Sequence, residues 1–256
     1  MEDVIFFGNG PLADYALETL KPHVNIIFHA RTKEDLETVK ELKAKNPKAH
    51  GILASFGVMI KSDVLDLFEP EGILNIHPSL LPKYRGASPI ESAILNGDKD
   101  FSVSIMKLVK AMDAGPIYYQ ETLKALPFCK DEIYKALATT GTEWLVKNLT
   151  NLPEPQPQND EQATFTVKFD KSLSRLDPEA HTADELYRQV VAYANYPKSK
   201  YDFYNKECII LEAEVSDTET PVSIKCKDGK FLSIVKIQPA GKKPMDAKSF
   251  LNGYAK

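Results

Sequence analysis

The sequence is poor in the residues that mark several common protein classes. Its 256 residues include only three cysteines, Cys129, Cys208 and Cys226, which are widely spaced and form no Cys-x-x-Cys pair. This argues against a disulfide framework and against a structural zinc site. We expect the three cysteines to be small, buried apolar side chains. No apolar run approaches the roughly 18 residues that a transmembrane helix needs, so we expect no membrane span.

Excess positive charge and clustered histidines are missing as well. The formal net charge is -4, which gives no general case for a nucleic-acid binder. The histidines other than His77 lie apart without the spacing of metal ligands, so we expect no metal site. The first residues, MEDVIFFGNG, are acidic and lack the positive region of a signal peptide. We therefore expect a cytoplasmic protein.

Short apolar runs alternate with helical patterns through the first 150 residues or so. The apolar runs are DVIFFG, VNIIFHA, HGILASFGVMI and GILNIHP. Such alternation predicts an α/β fold in which helices cover the faces of a mostly parallel sheet. We expect Thr32 to open the charged helix after the second strand, and we expect a break near Gly141 in the last long helix.

The later part of the chain has a different pattern. The Pro-rich, polar segment NLPEPQPQNDEQATFT marks a boundary, because it cannot form regular packed structure. A short amphipathic helical pattern follows, and then short β-type runs that include a KDGK hairpin signal. We predict a catalytic domain over residues 1–160, a linker over 161–182 and a small barrel-like β domain over 183–256.

The segment GNGPLA, Gly8 to Ala13, lies between the first predicted strand and helix. It fits the Gly-x-Gly-x-x-Ala pattern that places a dinucleotide pyrophosphate at a helix start, and Arg31 stands where an NADP enzyme might hold a 2'-phosphate. Pro11, however, removes one backbone N–H that would face the phosphates. We favour a tight strand-to-helix turn and keep an NADP-binding protein as the alternative.

The fourth apolar run leads into Asn75 and His77, and Asp113 follows another predicted strand. Ligands in such sheets lie beyond the carboxyl ends of the strands. An amide can bind a developing oxyanion, an imidazole can move a proton, and a carboxylate can orient the imidazole, which together suit acyl transfer to an amine. Spacing alone leaves an ordinary explanation open, in which Asn75 caps a turn and Asp113 begins an Asp-x-Gly turn.

The whole string LNIHPSLLPKYRGASPI, with GVMI before it and MDAGPI after it, resembles the formyltransferase family that uses 10-formyltetrahydrofolate. The resemblance implies a Rossmann-like catalytic domain with 10-formyltetrahydrofolate as co-substrate. It also implies that Asn75 holds the formyl oxygen, that His77 acts as general acid or electrostatic partner, and that Asp113 manages protons. For the folate site it implies Phe56, Gly57 and Ile60, together with Ser79, Leu80, Leu81 and Pro82. Phe56 replaces a tyrosine of the family, so a hydroxyl contact is lost.

The carboxyl-terminal string IVKIQPAGKKPMDAKSFLNG resembles the small oligonucleotide-binding-type barrel of the branch that acts on methionyl-tRNA. The resemblance therefore implies an enzyme that formylates methionyl-tRNA, and we expect it to be a monomer. The residues expected to contact tRNA are Arg31, Lys83, Arg85, Lys242 and Lys243.

One departure keeps other acceptors open. The methionyl-tRNA branch carries a long basic insertion after the second strand, whereas this chain has only HARTKEDLETVKELKAKNPKAHG there. Loss of phosphate contacts should weaken tRNA binding. The alternatives are an N-formyltransferase acting on a nucleotide-linked amino sugar and a non-catalytic RNA-binding relative.

Overall fold

The computed structural model describes residues 1–126, 128–166 and 168–254, and it divides them into two compact units. The first unit contains Met1–Ile90 and residues 99–166, and the second contains Glu91–Asp98 and residues 168–254. Residues 161–166, which the sequence analysis placed in the linker, group with the first unit. Within the described residues no helix is both long enough and apolar enough to cross a membrane.

The first unit is built on a six-stranded sheet with the order β2-β1-β3-β4-β5-β6. The pairs β1/β2, β1/β3 and β3/β4 are parallel, whereas β4/β5 and β5/β6 are antiparallel. The mostly parallel, Rossmann-like sheet expected from the alternation is confirmed. The strands are β1 Asp3–Gly8, β2 Asn25–Ala30, β3 His50–Ala54, β4 Ile73–His77, β5 Phe101–Lys107 and β6 Ile117–Leu123.

Helices follow the strands of this sheet. They are α1 Pro11–Leu20, α2 Asp35–Lys45, α3 Ser62–Leu65, α4 Pro89–Asn96 and α5 Lys130–Asn148. Thr32 does not open α2, because the helix begins at Asp35 with Glu34 at the cap position. The expected break near Gly141 is also wrong. Gly141 lies inside the continuous helix α5, and a Cβ there would come within 3.0 Å of Val103 and 3.1 Å of Ile76. A glycine at this position lets the helix pack closely on the sheet.

The second unit is an antiparallel β structure with a helix at each end of its sequence. Strand β10 pairs with β8, β9 and β11, and β8 also pairs with β7. The β9/β10 pair confirms the predicted KDGK hairpin. Its elements are α6 Ala183–Ala192, β7 Ser199–Phe203, β8 Lys206–Ser216, β9 Ser223–Lys225, β10 Phe231–Pro239, β11 Met245–Asp246 and α7 Ala247–Tyr254.

Local sequence explains the start of α6, and burial decides the state of the cysteines. The Thr182 hydroxyl accepts from the backbone of Glu185, whose carboxylate accepts from the Thr182 backbone, a reciprocal cap. Cys208 and Cys226 are buried as expected, and burial raises the pKa of both thiols. Cys129 is exposed just before α5, so the expectation of burial was wrong for this residue.

Candidate active site

Strand β4 carries the two candidate residues at the middle of the sheet. All five of its residues are buried, since β3 lies on one side and β5 on the other. Asn75 stands opposite Leu53 of β3 and Met106 of β5. Because side chains alternate along a strand, Asn75 and His77 point to the same face, while Ile76 points to the opposite face, which α5 covers.

Both nitrogens of the His77 ring face an oxygen atom of a neighbouring residue. Nε2 lies 3.0 Å from the carbonyl oxygen of Tyr84, which is an acceptor, so Nε2 carries the proton of this bond. Nδ1 lies 3.7 Å from Oδ2 of Asp113. That separation is within ion-pair range but longer than a hydrogen bond, so the imidazole and the carboxylate face each other without a direct hydrogen bond.

Asp113 is brought to His77 by a turn after β5. Its backbone has φ 47°, in the left-handed region. Its Oδ2 accepts a hydrogen bond of 2.7 Å from the backbone N–H of Gly86. The carboxylate side chain is 14% exposed, against 5% for the His77 side chain. One carboxylate oxygen therefore faces both the imidazole and a fixed backbone donor.

Asn75 differs from its neighbours because its carboxamide has no hydrogen-bond partner in the part of the chain that the structure describes. The residue is 5% exposed, and among the described residues no hydrogen bond engages its side chain. A buried amide is costly unless its polar atoms are satisfied. The Asn75 amide is therefore available to a ligand in the cavity that it lines.

A cavity of about 500 Å³ joins the three candidate residues. This volume is within the range of sites for small molecules and cofactors. Most of the wall is apolar, and its polar side includes the amide, imidazole and carboxylate just described. Lys110 is the lysine on the wall. The folate residues predicted from the segment SFGVMI, which are Phe56, Gly57 and Ile60, also lie on this wall.

Ser79, Leu80, Leu81 and Pro82, the other predicted folate residues, do not line this cavity. The Ser79 hydroxyl donates to the Lys83 carbonyl at 2.6 Å, and Leu81 donates its backbone N–H to the Ser104 hydroxyl at 3.1 Å. Ser104 in turn donates to the Ser79 carbonyl at 2.6 Å. These residues form a tightly bonded turn between His77 and Tyr84. A direct folate contact for these residues stays a prediction.

The cations predicted to meet tRNA fall into different environments. Arg85 is buried, so the expectation that it contacts tRNA is wrong. Its guanidinium donates to Gln158 Oε1 and to Asp160 Oδ1, so it does not face solvent as a phosphate contact must. Lys83 is exposed, with its ammonium 4.6 Å from the centre of the Tyr84 ring. Arg31, Lys242 and Lys243 are exposed, and their contact with tRNA stays a prediction.

Sequence reasoning missed several residues that complete the site. Gly86 supplies the backbone donor to Asp113, and its φ of 119° with a neighbouring Thr166 hydroxyl admits only glycine. Met59 and Met112 are exposed at 79% and 62% and lie on the cavity wall. Gln158, in the Pro-rich segment, bonds to the Asp113 turn. Gly86 lies within the quoted loop string, whereas no local signal marked Gln158.

The Gly8 to Ala13 segment has a packing explanation. A Cβ on Gly8 would collide with the Ala54 carbonyl of the neighbouring strand, and Gly10 has φ 81° directly before Pro11, the first residue of α1. Both glycines are therefore required by the geometry of the strand-to-helix turn. Arg31 donates from Nε to His29 Nδ1 at 3.3 Å.

Comparison with known proteins identifies the family. A family model described as formyl transferase matches residues 11–149, and one described as formyl transferase, C-terminal domain, matches residues 168–255. The first match alone covers more than half of the chain. The chain belongs to the formyl transferase family. The resemblance seen in the loop string is thereby confirmed.

Relatives of this formyl transferase match along most of their length. It is 34% identical to the methionyl-tRNA formyltransferase of Roseiflexus sp. over 89% of this chain and 74% of that protein. It is 32% identical to the methionyl-tRNA formyltransferase of Thermus thermophilus over 95% of this chain and 82% of that protein. The matches to single relatives therefore extend over most of this chain.

Solved structures share the fold at lower identity. HypX from Aquifex aeolicus in complex with tetrahydrofolic acid has a TM-score of 0.74 at 17% identity, over 100% of this chain and 48% of that one. Methionyl-tRNA formyltransferase from Clostridium thermocellum has a TM-score of 0.68 at 18% identity, over 93% and 98%. An N-formyltransferase from Helicobacter canadensis, in complex with folinic acid and dTDP-3-aminofucose, has a TM-score of 0.67 at 18% identity, over 91% and 99%. The formyl transferase fold expected from the sequence is confirmed.

Proposed function

We propose that this protein transfers the formyl group of 10-formyltetrahydrofolate to the α-amine of methionyl-tRNA. Family membership and the relatives named methionyl-tRNA formyltransferase support the overall activity. The observation that carries the chemistry is the meeting of the unpartnered Asn75 amide, the His77 imidazole and the Asp113 carboxylate on one wall of an apolar cavity. We expect the enzyme to work in the cytoplasm and as a monomer.

The cavity suits the formyl donor by its shape and lining. A pterin is a flat ring system that needs apolar contacts and a few fixed polar groups, and Phe56 and Ile60 supply apolar surface beside the β4 residues. The donor brings the formyl group bound to its N10 atom. In this proposal the Asn75 amide, which lines the cavity, donates to the formyl oxygen.

The three side chains divide the steps of the transfer. The methionyl amine attacks the formyl carbon, and the new C–N bond leaves negative charge on the formyl oxygen. The Asn75 N–H and a protonated His77 stabilise that charge, since donors aimed at a developing oxyanion lower the barrier. Asp113 accepts a proton from the amine, directly or through a water molecule. The bond from carbon to N10 then breaks, N10 takes a proton, and tetrahydrofolate leaves.

A second acceptor has an observation in its favour. The connection between β2 and β3 consists of a short turn, the helix α2 and a short return, and α2 carries acidic as well as basic side chains. A helix of mixed charge is a weak surface for a phosphate backbone. An amino sugar linked to a nucleotide needs less positive surface than tRNA, so it is the acceptor to test beside methionyl-tRNA.

The deciding experiment offers both acceptors to the purified protein. Radiolabelled 10-formyltetrahydrofolate is incubated in parallel with methionyl-tRNA and with a nucleotide-linked amino sugar, and label transfer is counted. We expect label on methionyl-tRNA. Label on the sugar alone would overturn the proposed acceptor, and label on neither would count against a formyl transferase activity with these substrates.

A ligand test separates the formyl transferase from the NADP-binding alternative. A ligand that binds the folded state raises the melting temperature according to its concentration relative to Kd. We expect a stable folate such as folinic acid to raise it and NADPH to leave it unchanged. The opposite pattern would favour the Gly8 to Ala13 segment as a dinucleotide site.

A further inference from the structure

The Asp113 turn depends on support from outside its own segment. Asp113 has a left-handed backbone, and a Cβ on the following Gly115 would collide with the Lys107 carbonyl. A left-handed conformation at a residue other than glycine persists only when the surroundings hold it. The carboxylate direction therefore depends on whatever fixes this turn.

Gln158 holds the turn through its side-chain amide. Its Nε2 donates to the carbonyl of Asp113 at 2.8 Å and to the carbonyl of Gly115 at 2.7 Å. Its Oε1 accepts from Arg85, at 3.0 Å from Nε and at 2.7 Å from Nη2. Both donors of the amide are thus used on one side, and its oxygen takes a forked bond on the other. No other orientation of this amide would satisfy the same four atoms.

Arg85 connects the amide to the loop that holds His77. The residue before it, Tyr84, provides the carbonyl that accepts from His77, and the residue after it, Gly86, provides the N–H that binds Asp113. The Arg85 backbone is itself fixed, because its N–H donates to the Thr164 carbonyl and its carbonyl accepts from the Thr166 N–H, both at 2.8 Å. The two members of the imidazole and carboxylate pair are thereby attached to one rigid support.

We propose that Gln158 and Arg85 form a clamp that positions the Asp113 carboxylate against His77. This inference rests on the proposed formyl transfer, and it gives the Pro-rich segment a part in the chemistry. The clamp does not line the cavity, so its members are positioning residues. Removing the clamp should change the placement of Asp113 and hence the rate of the chemical step, while leaving the part of the cavity wall formed by Phe56, Gly57 and Ile60 in place.

The test compares Gln158→Ala and Gln158→Glu with Gln156→Ala in the full-length protein. Gln156 is exposed in the same segment, and its side chain makes only a 3.4 Å bond to the Glu154 carbonyl, so it is a matched control. Gln158→Glu keeps the shape and the acceptor for Arg85 but loses both N–H donors. We expect kcat to fall roughly 10- to 100-fold in both Gln158 variants, as for a small misplacement of a catalytic group. KM for the formyl donor should stay near the wild-type value, and Gln156→Ala should match the wild type.

A double variant tests whether the two residues act as one unit. If Arg85 works through Gln158, Arg85→Lys combined with Gln158→Glu should lose no more kcat than the worse single variant. Multiplied losses would mean that the residues act separately and would overturn the clamp. Unchanged kcat in the folded Gln158→Glu variant, or a rise in KM alone, would overturn it as well.

An activity-independent measurement separates failure of the clamp from failure of the proposed function. Hydrogen exchange of the Gly86 amide, followed by NMR, reports whether the Asp113 carboxylate still accepts from it. We expect faster exchange at Gly86 in Gln158→Glu and unchanged exchange in Gln156→Ala. Exchange that stays slow would overturn the clamp whatever the enzyme transfers, whereas a wild-type protein without formyl transfer would overturn only the function.

Discussion

The carboxyl ends of β1 and β4 lie on the same edge of the sheet, and each has an asparagine and a histidine nearby. Near β1 these are Asn9, just after the strand, and His29 of the neighbouring β2; near β4 they are Asn75 and His77 of β4 itself. At the first edge position, His29 donates or accepts through Nε2 at 3.0 Å from the Gly8 carbonyl, while its Nδ1 faces the Arg31 Nε. Asn9 donates to the Arg31 carbonyl. The polar groups at the ends of β1 and β2 therefore form hydrogen bonds with one another.

The polar side chains near the end of β4 have fewer hydrogen bonds among the described residues. The Asn75 amide has no hydrogen bond among the described residues, and His77 Nδ1 stays 3.7 Å from Asp113. Beside them lies a cavity of about 500 Å³. The comparison teaches that residue type and position at a strand end are insufficient to make a site. What distinguishes the end of β4 is that the Asn75 amide and His77 Nδ1 have no hydrogen bond among the described residues and that both residues line a cavity.

The largest effect should be a difference in kcat between the alanine variants of His77 and His29. His77→Ala, and likewise Asp113→Ala, should lower kcat by about 10²- to 10⁴-fold, the usual contribution of positioned acid and base groups. His29→Ala should leave kcat nearly unchanged, because its ring bonds to Gly8 and Arg31 and does not line the cavity. Initial rates of formyl transfer, with circular dichroism to establish folding, measure the difference. Near-normal activity in His77→Ala and Asp113→Ala would remove the assigned roles.

A smaller effect should separate the glycines of the two loops. Alanine at Gly86 or at Gly10 imposes backbone strain of about 1–3 kcal/mol, since both have φ in the left-handed half of the map. Only at Gly86 would the Cβ also meet a neighbour, the Thr166 hydroxyl, and displace the N–H that binds Asp113. Both variants should therefore unfold at lower urea, but only Gly86→Ala should lose kcat per folded molecule. Equal kcat in the two variants would argue that the Gly86 amide does not matter to the chemistry.

Much of the first unit could be predicted because its signals are local. Apolar runs and helical periodicity set the alternation of strands and helices, and the two-residue period of a strand put Asn75 and His77 on one face. Gly141 shows where local signals fail. A glycine weakens a helix by itself, but here the missing side chain lets α5 approach Val103 and Ile76 without pressing on them.

The support of the site could not be predicted because it depends on contacts between distant segments. An arginine in a polar loop is expected at the surface. Arg85 is buried because a distant segment packs against the loop, where Gln158 and Thr164 bond to it. The Pro-rich segment lacks periodicity, so its sequence marked it as a boundary rather than as part of a site. Residues that act through such long-range hydrogen bonds leave no spacing for a single sequence to reveal.

The smallest effect should appear at Asp35, the first residue of α2, and it should concern stability. The Asp35 carboxylate accepts from the backbone N–H groups of Arg31 and Thr32 at 2.7 and 2.8 Å, and these bonds hold its pKa below the ordinary value of 3.8. A lowered folded-state pKa means that the contribution is present above the ordinary value and is lost as the pH falls through the folded-state value. Asp35→Ala should therefore cost about 1 kcal/mol of unfolding free energy near pH 7, the usual net value of such bonds. The difference from the wild type in urea denaturation should shrink as the pH falls below the ordinary carboxyl pKa of 3.8, and a difference that grows in acid would contradict this assignment.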